Sequence, residues 1–140
     1  MKIVSKNQNV APSPYILFPG NAREALTFYS EIFGCQLFLH TFSAFERTDG
    51  PANTIAHGGL VDGPVKLYGA DAAVGQASVK MEGMMLTLLG VAEPSVLHQW
   101  FNQLSVSGTI IEPLQRRAWG ATDGQVIDRF GLCWLVGYED

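Results

Sequence analysis

The strongest pattern of apolar and polar positions spans residues 14–34, PYILFPGNAREALTFYSEIFG. Its first part, residues 15–18, is a short apolar run between two prolines, which predicts a buried strand. Asn21 is then the expected N-cap of a helix, and Gly34 is its expected C-terminal stop. Between them, apolar residues recur every three or four positions, which predicts one helix face packed on a sheet: Ala25, Phe28, Tyr29, Ile32 and Phe33.

A weaker copy of this arrangement spans residues 84–108. Residues 84–89, MMLTLL, predict a strand, and Pro94 suits the first position of a helix, where its missing N–H is not needed. The apolar stripe returns after it, and Gly108 is the expected stop: Val96, Leu97, Trp100, Phe101 and Leu104. The spacing of the two stops leaves room for three more strands after each helix, so the chain is expected to be an α+β fold of two βαβββ modules.

The remaining segments complete these modules. After the first helix we expect strands at 35–42, 54–61 and 65–70. After the second helix we expect a strand at 109–112 that Pro113 stops, and then an extended piece within 114–121. A turn is expected at 122–124, after which residues 125–127 continue outward, and the last strand is expected at 132–138. The predicted organisation is a flexible segment at 1–13 and a single domain at 14–140, built from modules at 14–71 and 84–138 joined by a linker at 72–83.

Composition excludes several classes of function. The formal net charge of −4 and the pI of about 5.2 leave no basic surface for nucleic acid. No run approaches the roughly 18 apolar residues of a membrane span, and the polar start does not resemble an export signal. The protein is therefore expected to be cytoplasmic, and its two cysteines are expected to be reduced.

Four sequence blocks carry a resemblance to a known family: GNAREALTFYSEIFG, IAHGGL, VKLYGAD and LQRRAWGATDGQVIDRFGLCW. They resemble the PhnB-like branch of the vicinal oxygen chelate superfamily, which contains glyoxalases, bleomycin-resistance proteins and extradiol dioxygenases. The match covers about residues 14 to 138. It implies that the paired modules form curled mixed sheets around a cleft, and that the protein is a homodimer whose modules pair either within or between chains.

The usual metal ligands of this family are replaced here. In metal-using members a histidine opens the first strand and a glutamate lies on the last, positions that correspond to Pro14 and about Leu135. The strand at 84–89 also has no histidine or carboxylate. Neither proline nor leucine side chains can bind a divalent ion, so we expect neither the usual metal nor another cofactor. Some members carry a methyltransferase label, but Pro19-Gly20-Asn21 lacks the glycine-rich turn that holds a nucleotide cofactor.

His57 is the first candidate for chemistry, because small neighbours leave space beside its ring and an imidazole titrates near neutrality. Asp71 is its candidate partner. The ordinary structural roles are a histidine hydrogen-bonded within the sheet and an aspartate that starts a turn. The candidate ligand-binding set is Tyr15, Phe38, His57, Tyr68, Trp119 and Trp134.

Other residues in these segments have competing structural interpretations. Trp119 suits either a lid or a dimer contact, and Trp134 also suits the core. His40 is expected to pack among aromatic rings, and His98 to be solvated. Asp128 is expected to cap the turn that follows it, with Arg129 as a possible surface partner.

Three functions fit these residues. The first is a protein that binds a small organic ligand in an aromatic-lined cleft without a metal. The second is an enzyme, either metal-dependent or using His57 with Asp71 for proton transfer. The third is a dimeric scaffold or regulator with a vestigial cleft. Fold alone does not choose among them.

Overall fold

The computed structural model describes residues 11–140 and forms the expected βαβββ unit twice. The predicted α+β fold of two modules is therefore confirmed, while residues 1–10 of the predicted flexible segment lie outside the described residues. The first module contains β1 (Tyr15–Phe18), α1 (Ala22–Phe33), β2 (Gln36–Thr41), β3 (Ile55–Val61) and β4 (Leu67–Asp71). The second contains β5 (Leu86–Leu89), α2 (Pro94–Leu104), β6 (Thr109–Arg116), β7 (Ala121–Ile127) and β8 (Cys133–Glu139).

Each module forms one four-stranded mixed sheet. The strand orders are β1-β4-β3-β2 in the first sheet and β5-β8-β7-β6 in the second. In both, the first and last strands of the module pair in parallel, and the remaining pairs are antiparallel. The two modules therefore repeat one topology, as the repeated sequence pattern predicts.

The core lies on the helical side of both sheets and draws buried residues from both modules. The two helices contact each other, and the ring of Phe33 on α1 meets Trp100 on α2 edge to face, with centroids 5.1 Å apart. Trp134 on β8 packs against Tyr29 and Phe33 of α1. Because the apolar stripes of the helices cover one face of each sheet, the opposite faces remain outside this core.

A buried carboxylate joins the two modules. Asp128, only 3% exposed, accepts hydrogen bonds from the hydroxyl of Tyr29 (2.5 Å) and the indole N–H of Trp134 (2.8 Å). Its other oxygen accepts from the backbone N–H groups of Phe130 (2.7 Å) and Leu132 (3.2 Å). Asp128 thus caps its own turn as expected, and it also ties α1 of the first module to β8 of the second.

Arg129 does not pair with Asp128. Its guanidinium lies over the ring of Phe28, 4.5 Å from the centroid, and donates to the carbonyl of Val106. The physical reason is that the Asp128 carboxylate points into the core, where all four of its partners are neutral donors.

The helix ends agree with the prediction in part. Gly34 ends α1 in the left-handed conformation, with φ of 68°, as predicted. Asn21 makes no side-chain capping bond, and its Oδ1 is buried without a partner among residues 11–140. After α2 the left-handed residue is Ser107, with φ of 60°, so the expectation that Gly108 supplies this stop is wrong.

The predicted break between β6 and β7 is misplaced. β6 continues through Pro113, which is tolerated because β6 is an edge strand and its pairing with β7 is irregular there. Residues 122–124, predicted as a turn, lie within β7, and the chain reverses at 117–120 instead. Glycine is needed at position 124 because the backbone of Leu114 lies close to it, and not because the chain turns there. A Cβ at this position would lie 2.7 Å from the Leu114 backbone.

Among residues 11–140, no helix has both the length and the apolar character needed to cross a membrane. Cys35 and Cys133 are both free thiols. Cys35 lies between α1 and β2 and Cys133 opens β8, so the two cysteines lie in different modules.

Tyr29→Phe tests the joint between the modules. Burial and the adjacent Asp128 carboxylate raise the pKa of Tyr29 above its ordinary value. Losing a hydrogen bond to a buried carboxylate should lower the free energy of unfolding by about 2 kcal/mol at neutral pH. Between about pH 10 and 12 the unfolded wild type releases this proton while the folded protein keeps it, so wild-type stability falls as pH rises.

The Tyr29→Phe variant has no hydroxyl at position 29 and therefore lacks this pH dependence. The free energies of unfolding of wild type and variant should converge above about pH 10. Urea unfolding as a function of pH measures both effects. Tyr138→Phe is the matched control and should cost about 1 kcal/mol or less, because within the described part of the chain the Tyr138 hydroxyl bonds only to the half-buried His98. Equal losses in the two variants would contradict a special role for the Tyr29–Asp128 contact.

Candidate functional site: an aromatic face on the first sheet

Side-chain alternation along the strands builds the candidate site. In β1, Ile16 and Phe18 are buried toward α1, so Tyr15 points to the opposite face. The same alternation directs His57 of β3 and Tyr68 of β4 away from the helix. We call the resulting surface the aromatic face; it consists of Tyr15, Phe38, His40, Phe45, His57 and Tyr68.

Strand register places one row of this face across all four strands. Tyr15 is opposite Tyr68, Tyr68 is opposite Gly59, and Gly59 is opposite Phe38. A Cβ on Gly59 would lie 2.5 Å from Cδ1 of Tyr68 and 3.0 Å from Cε2 of Phe38. The two flanking rings therefore fill the space above Gly59, and only a residue without a Cβ fits there.

Three rings of the aromatic face are nearly parallel. The ring of His57 is inclined by 11° to both Tyr15 and Tyr68, at centroid distances of 5.6 and 6.3 Å. The ring of Phe38 is tilted by 59° to His57 at 5.2 Å. These distances and angles are those of stacked and inclined aromatic pairs.

One hydrogen bond orders the polar part of the face. The hydroxyl of Tyr15 lies 2.8 Å from Nδ1 of His57. Partial burial raises the pKa of Tyr15 above its ordinary value, while the nearby Arg47 acts in the opposite direction. His40 lies directly opposite His57 across β2 and β3, and its ring stacks on Phe45 at 5.1 Å. His40 thus occupies the aromatic surroundings that its sequence context predicts.

Asp71 is not the partner of His57. Its side chain is 4% exposed and accepts from the backbone N–H of Ala22 at 2.9 Å and of Ile55 at 2.8 Å. Both carboxylate oxygens therefore serve the start of α1 and the start of β3. The physical reason is strand parity, because Asp71 is an odd number of residues from Tyr68 and so points to the helical face.

The two tryptophans of the predicted ligand-binding set do not join the aromatic face. Trp134 is 2% exposed in the core and bonded to Asp128. Trp119 is 74% exposed in the turn between β6 and β7, beside a groove of about 490 Å³ lined by Leu89, Ala121 and Leu135. The structure therefore brings together Tyr15, Phe38, His57 and Tyr68 and separates both tryptophans from them.

His98, expected to be solvated, is instead half-buried, with Nε2 2.9 Å from the hydroxyl of Tyr138. Sequence reasoning also missed the close approach of two rings at Gly59 and the Tyr15–His57 hydrogen bond. Strand parity would have revealed the first, because Gly59 and His57 are two residues apart in one strand. The second depends on the pairing of β1 with β4 and of β4 with β3, which no local pattern contains.

The residues at the family's metal positions do not fit a divalent ion. Pro14 contributes only its carbonyl, which accepts the backbone N–H of Tyr68 at 3.0 Å. Leu135 lies within β8, paired with Thr87 and Gln125. Among residues 11–140, no three His, Cys, Asp or Glu side chains are grouped as metal ligands. This donor set does not suit the oxygen and nitrogen coordination that such ions require.

Comparison with known proteins gives the family. A model of the Glyoxalase/Bleomycin resistance protein/Dioxygenase superfamily matches residues 12–136. The chain belongs to this superfamily. The predicted resemblance is thereby confirmed, and the repeated βαβββ topology agrees with the superfamily fold.

Individual superfamily relatives cover nearly the whole chain. Protein YjdN of Escherichia coli is 25% identical over 142 residues, covering 89% of this chain and 92% of its own. The crystal structure of protein PA1353 from Pseudomonas aeruginosa is 30% identical, with a TM-score of 0.76, covering 94% of this chain and 98% of its own.

A Bacillus cereus structure described as a putative 3-demethylubiquinone-9 3-methyltransferase, PhnB protein, is also similar. It is 20% identical, with a TM-score of 0.72, covering 91% of this chain and 98% of its own. At this identity the likeness shows the fold alone.

Asp71→Asn tests whether Asp71 is structural. An amide in its place turns an N–H group toward one of two backbone donors, which should lower the free energy of unfolding by about 2 kcal/mol. Thermal or urea unfolding measures this loss. Asp62→Asn, at an exposed turn, is the control and should change stability by less than about 0.5 kcal/mol. Unchanged stability of Asp71→Asn, with an altered titration of His57, would restore the catalytic pair.

Proposed function

We propose that the protein binds a small planar organic molecule on the aromatic face of its first sheet. The observation that carries this proposal is the row of rings from Tyr15, Tyr68 and Phe38, in which the last two rings close over Gly59. The rings of Tyr15, His57 and Tyr68 are nearly parallel, so a flat molecule can stack on one ring while lying parallel to the others. Each such aromatic contact contributes about 0.5–1.5 kcal/mol beyond the burial of its area.

The proposed binding does not use the superfamily's metal. Pro14 and Leu135 replace its ligands, and the aromatic face offers flat apolar surfaces with few polar groups. Sites for small molecules commonly combine apolar walls with a small number of polar anchors. The pair formed by Tyr15 and His57 is such an anchor on this face.

A second candidate is an enzyme that transfers a proton through His57 without a metal. The hydrogen bond from Tyr15 to Nδ1 supports it, because a ring nitrogen held in this way leaves the other nitrogen for a substrate. This candidate uses the same face and differs only in whether the bound molecule is converted. Turnover by wild type and its loss in His57→Gln would separate it from simple binding, and binding without any turnover would leave the first proposal.

We further propose that a second copy of the chain covers the aromatic face with the outer face of its second sheet. Tyr15 and Phe45 are 46% and 44% exposed on the first sheet, and Leu89 and Ile111 are 47% and 49% exposed on the second. Exposed apolar surface concentrated on two sheet faces is typical of an interaction surface. A homodimer pairing these faces would enclose a cleft and would also bury the exposed Trp119. A scaffold role would then follow if the cleft binds nothing.

Sedimentation velocity tests the dimer. Wild type should sediment as a dimer at micromolar concentration, and Leu89→Asp should shift the population to monomer because it places a charge in the apolar interface. Val74→Asp is the matched control, since Val74 is 80% exposed in the segment between the modules and should leave the dimer intact. A monomeric wild type, or equal effects of the two variants, would contradict the proposed pairing.

Binding is tested by NMR titration with quinoline, a flat bicyclic probe. The ring resonances of Tyr15, Phe38 and Tyr68 should shift saturably. Tyr68→Ala should weaken binding by about five-fold or more, because it removes one stacking surface. Tyr138→Ala, a half-buried tyrosine on the second sheet, should leave the affinity within about two-fold of wild type. Shifts spread evenly over the protein, or none, would contradict the proposal.

A further inference from the structure

The Tyr15–His57 hydrogen bond has a preferred direction. A phenol hydroxyl is a good donor, and its oxygen is a weak acceptor because its lone pair is shared with the ring. The unprotonated nitrogen of a neutral imidazole is a strong acceptor. Partial burial also keeps the Tyr15 hydroxyl protonated, since it raises the pKa of Tyr15. The 2.8 Å contact is therefore a Tyr15 O–H donating to Nδ1 of His57.

This direction determines the second ring nitrogen of His57. A neutral imidazole carries one proton, so when Nδ1 accepts, Nε2 carries the N–H. Nε2 has no hydrogen-bond partner among residues 11–140. Asp71, which the sequence suggested as the partner of His57, lies on the other side of the sheet. Its carboxylate accepts hydrogen bonds from two backbone N–H groups there. The aromatic face thus presents the Nε2–H group of His57 as an unpaired donor beside the rings of Tyr15 and Tyr68, with His40 as the other imidazole on the face.

The ring geometry determines what can use this donor. The rings of Tyr68 and Tyr15 are each within 11° of parallel to the His57 ring. A flat molecule stacked on either tyrosine is therefore nearly parallel to His57. The Nε2–H bond lies in the plane of the His57 ring, so it can donate to an acceptor atom at the edge of a flat molecule where that edge reaches this plane.

We propose that the ligand class is planar ring molecules with a hydrogen-bond acceptor in the ring plane, such as a ring nitrogen or a carbonyl oxygen. Nε2–H of His57 donates to that acceptor, and Tyr15 is the positioning residue that holds the imidazole in the required tautomer. This inference rests on the proposed binding function and adds the chemical feature that selects the ligand. Burial of a donor opposite an acceptor-free ring is disfavoured, which supplies the discrimination.

The test compares quinoline with naphthalene, which has the same shape and no acceptor. At about pH 8, above the ordinary histidine pKa of about 6.5, wild type should prefer quinoline by about five-fold. In His57→Phe, which keeps an aromatic ring and removes the donor, the preference should fall to about one. Nitrogen-15 NMR of the wild-type imidazole should show Nδ1 unprotonated and Nε2 protonated, and Tyr15→Phe should change that tautomer population.

The outcomes separate this inference from the binding proposal. If neither probe shifts the resonances of the aromatic face, the binding proposal fails, and the nitrogen-15 spectrum still decides whether His57 presents a donor. If both probes bind with equal affinity, or if Nδ1 carries the proton in wild type, binding stands and the acceptor rule is overturned. An unchanged quinoline preference in His57→Phe would also overturn it, because the preference would then arise elsewhere.

Discussion

The arrangement of the two modules depends on the buried carboxylate of Asp128. An ionised group in the core is tolerated only when its oxygens are saturated by donors, and this one receives four: a phenol, an indole and two backbone N–H groups. The phenol comes from α1 of the first module, while the other three donors follow Asp128 closely in the second. Because these donors must all contact Asp128, α1 packs against β8 and the two helices share one core. The opposite faces of both sheets lie outside this core.

The chemistry of the aromatic face follows from that placement. Along β1, β3 and β4, every second side chain is committed to the core, and the residues between them are free to vary in character. Here those positions hold Tyr15, His57 and Tyr68, with glycine at 59 leaving room for the neighbouring rings. A shift of one residue in the pairing of a strand would move its rings into the core, so the stability of the core also maintains the composition of the face.

Membership of the superfamily establishes the frame and leaves the function to the residues on it. The resemblance assigns two metal-ligand positions to Pro14 and Leu135, whose side chains hold no donor atom. The aromatic face instead carries the imidazole of His57, bonded to Tyr15, and that of His40. The chemistry that we propose for this face is stacking together with a hydrogen bond from His57. The outer face of the second sheet, with Leu89, Ile111 and the exposed Trp119, provides apolar surface of the kind that can complete such a site.

The sequence by itself determined the features that depend on near neighbours. Apolar periodicity was sufficient for β1, for both helices and for the repeated order of elements, because a helix face or a strand is specified by residues within a few positions of one another. Gly34 and Pro94 were likewise predictable from local backbone requirements. Four residues of the candidate site, Tyr15, Phe38, His57 and Tyr68, were recognised as aromatic positions on strands, and the structure brings them onto one face.

Tertiary structure decided which residues act together. Tyr15 meets His57 across 42 residues, Asp71 reaches the start of α1 across 49, and Tyr29 reaches Asp128 across 99. Such contacts depend on strand order and register, which local sequence does not encode. For this reason Asp71 was wrongly paired with His57, both tryptophans were grouped with a face they do not join, and Gly124 was taken for a turn. The physical cause is the same in each case: the partner that satisfies a buried donor or fills a close contact comes from a distant part of the chain.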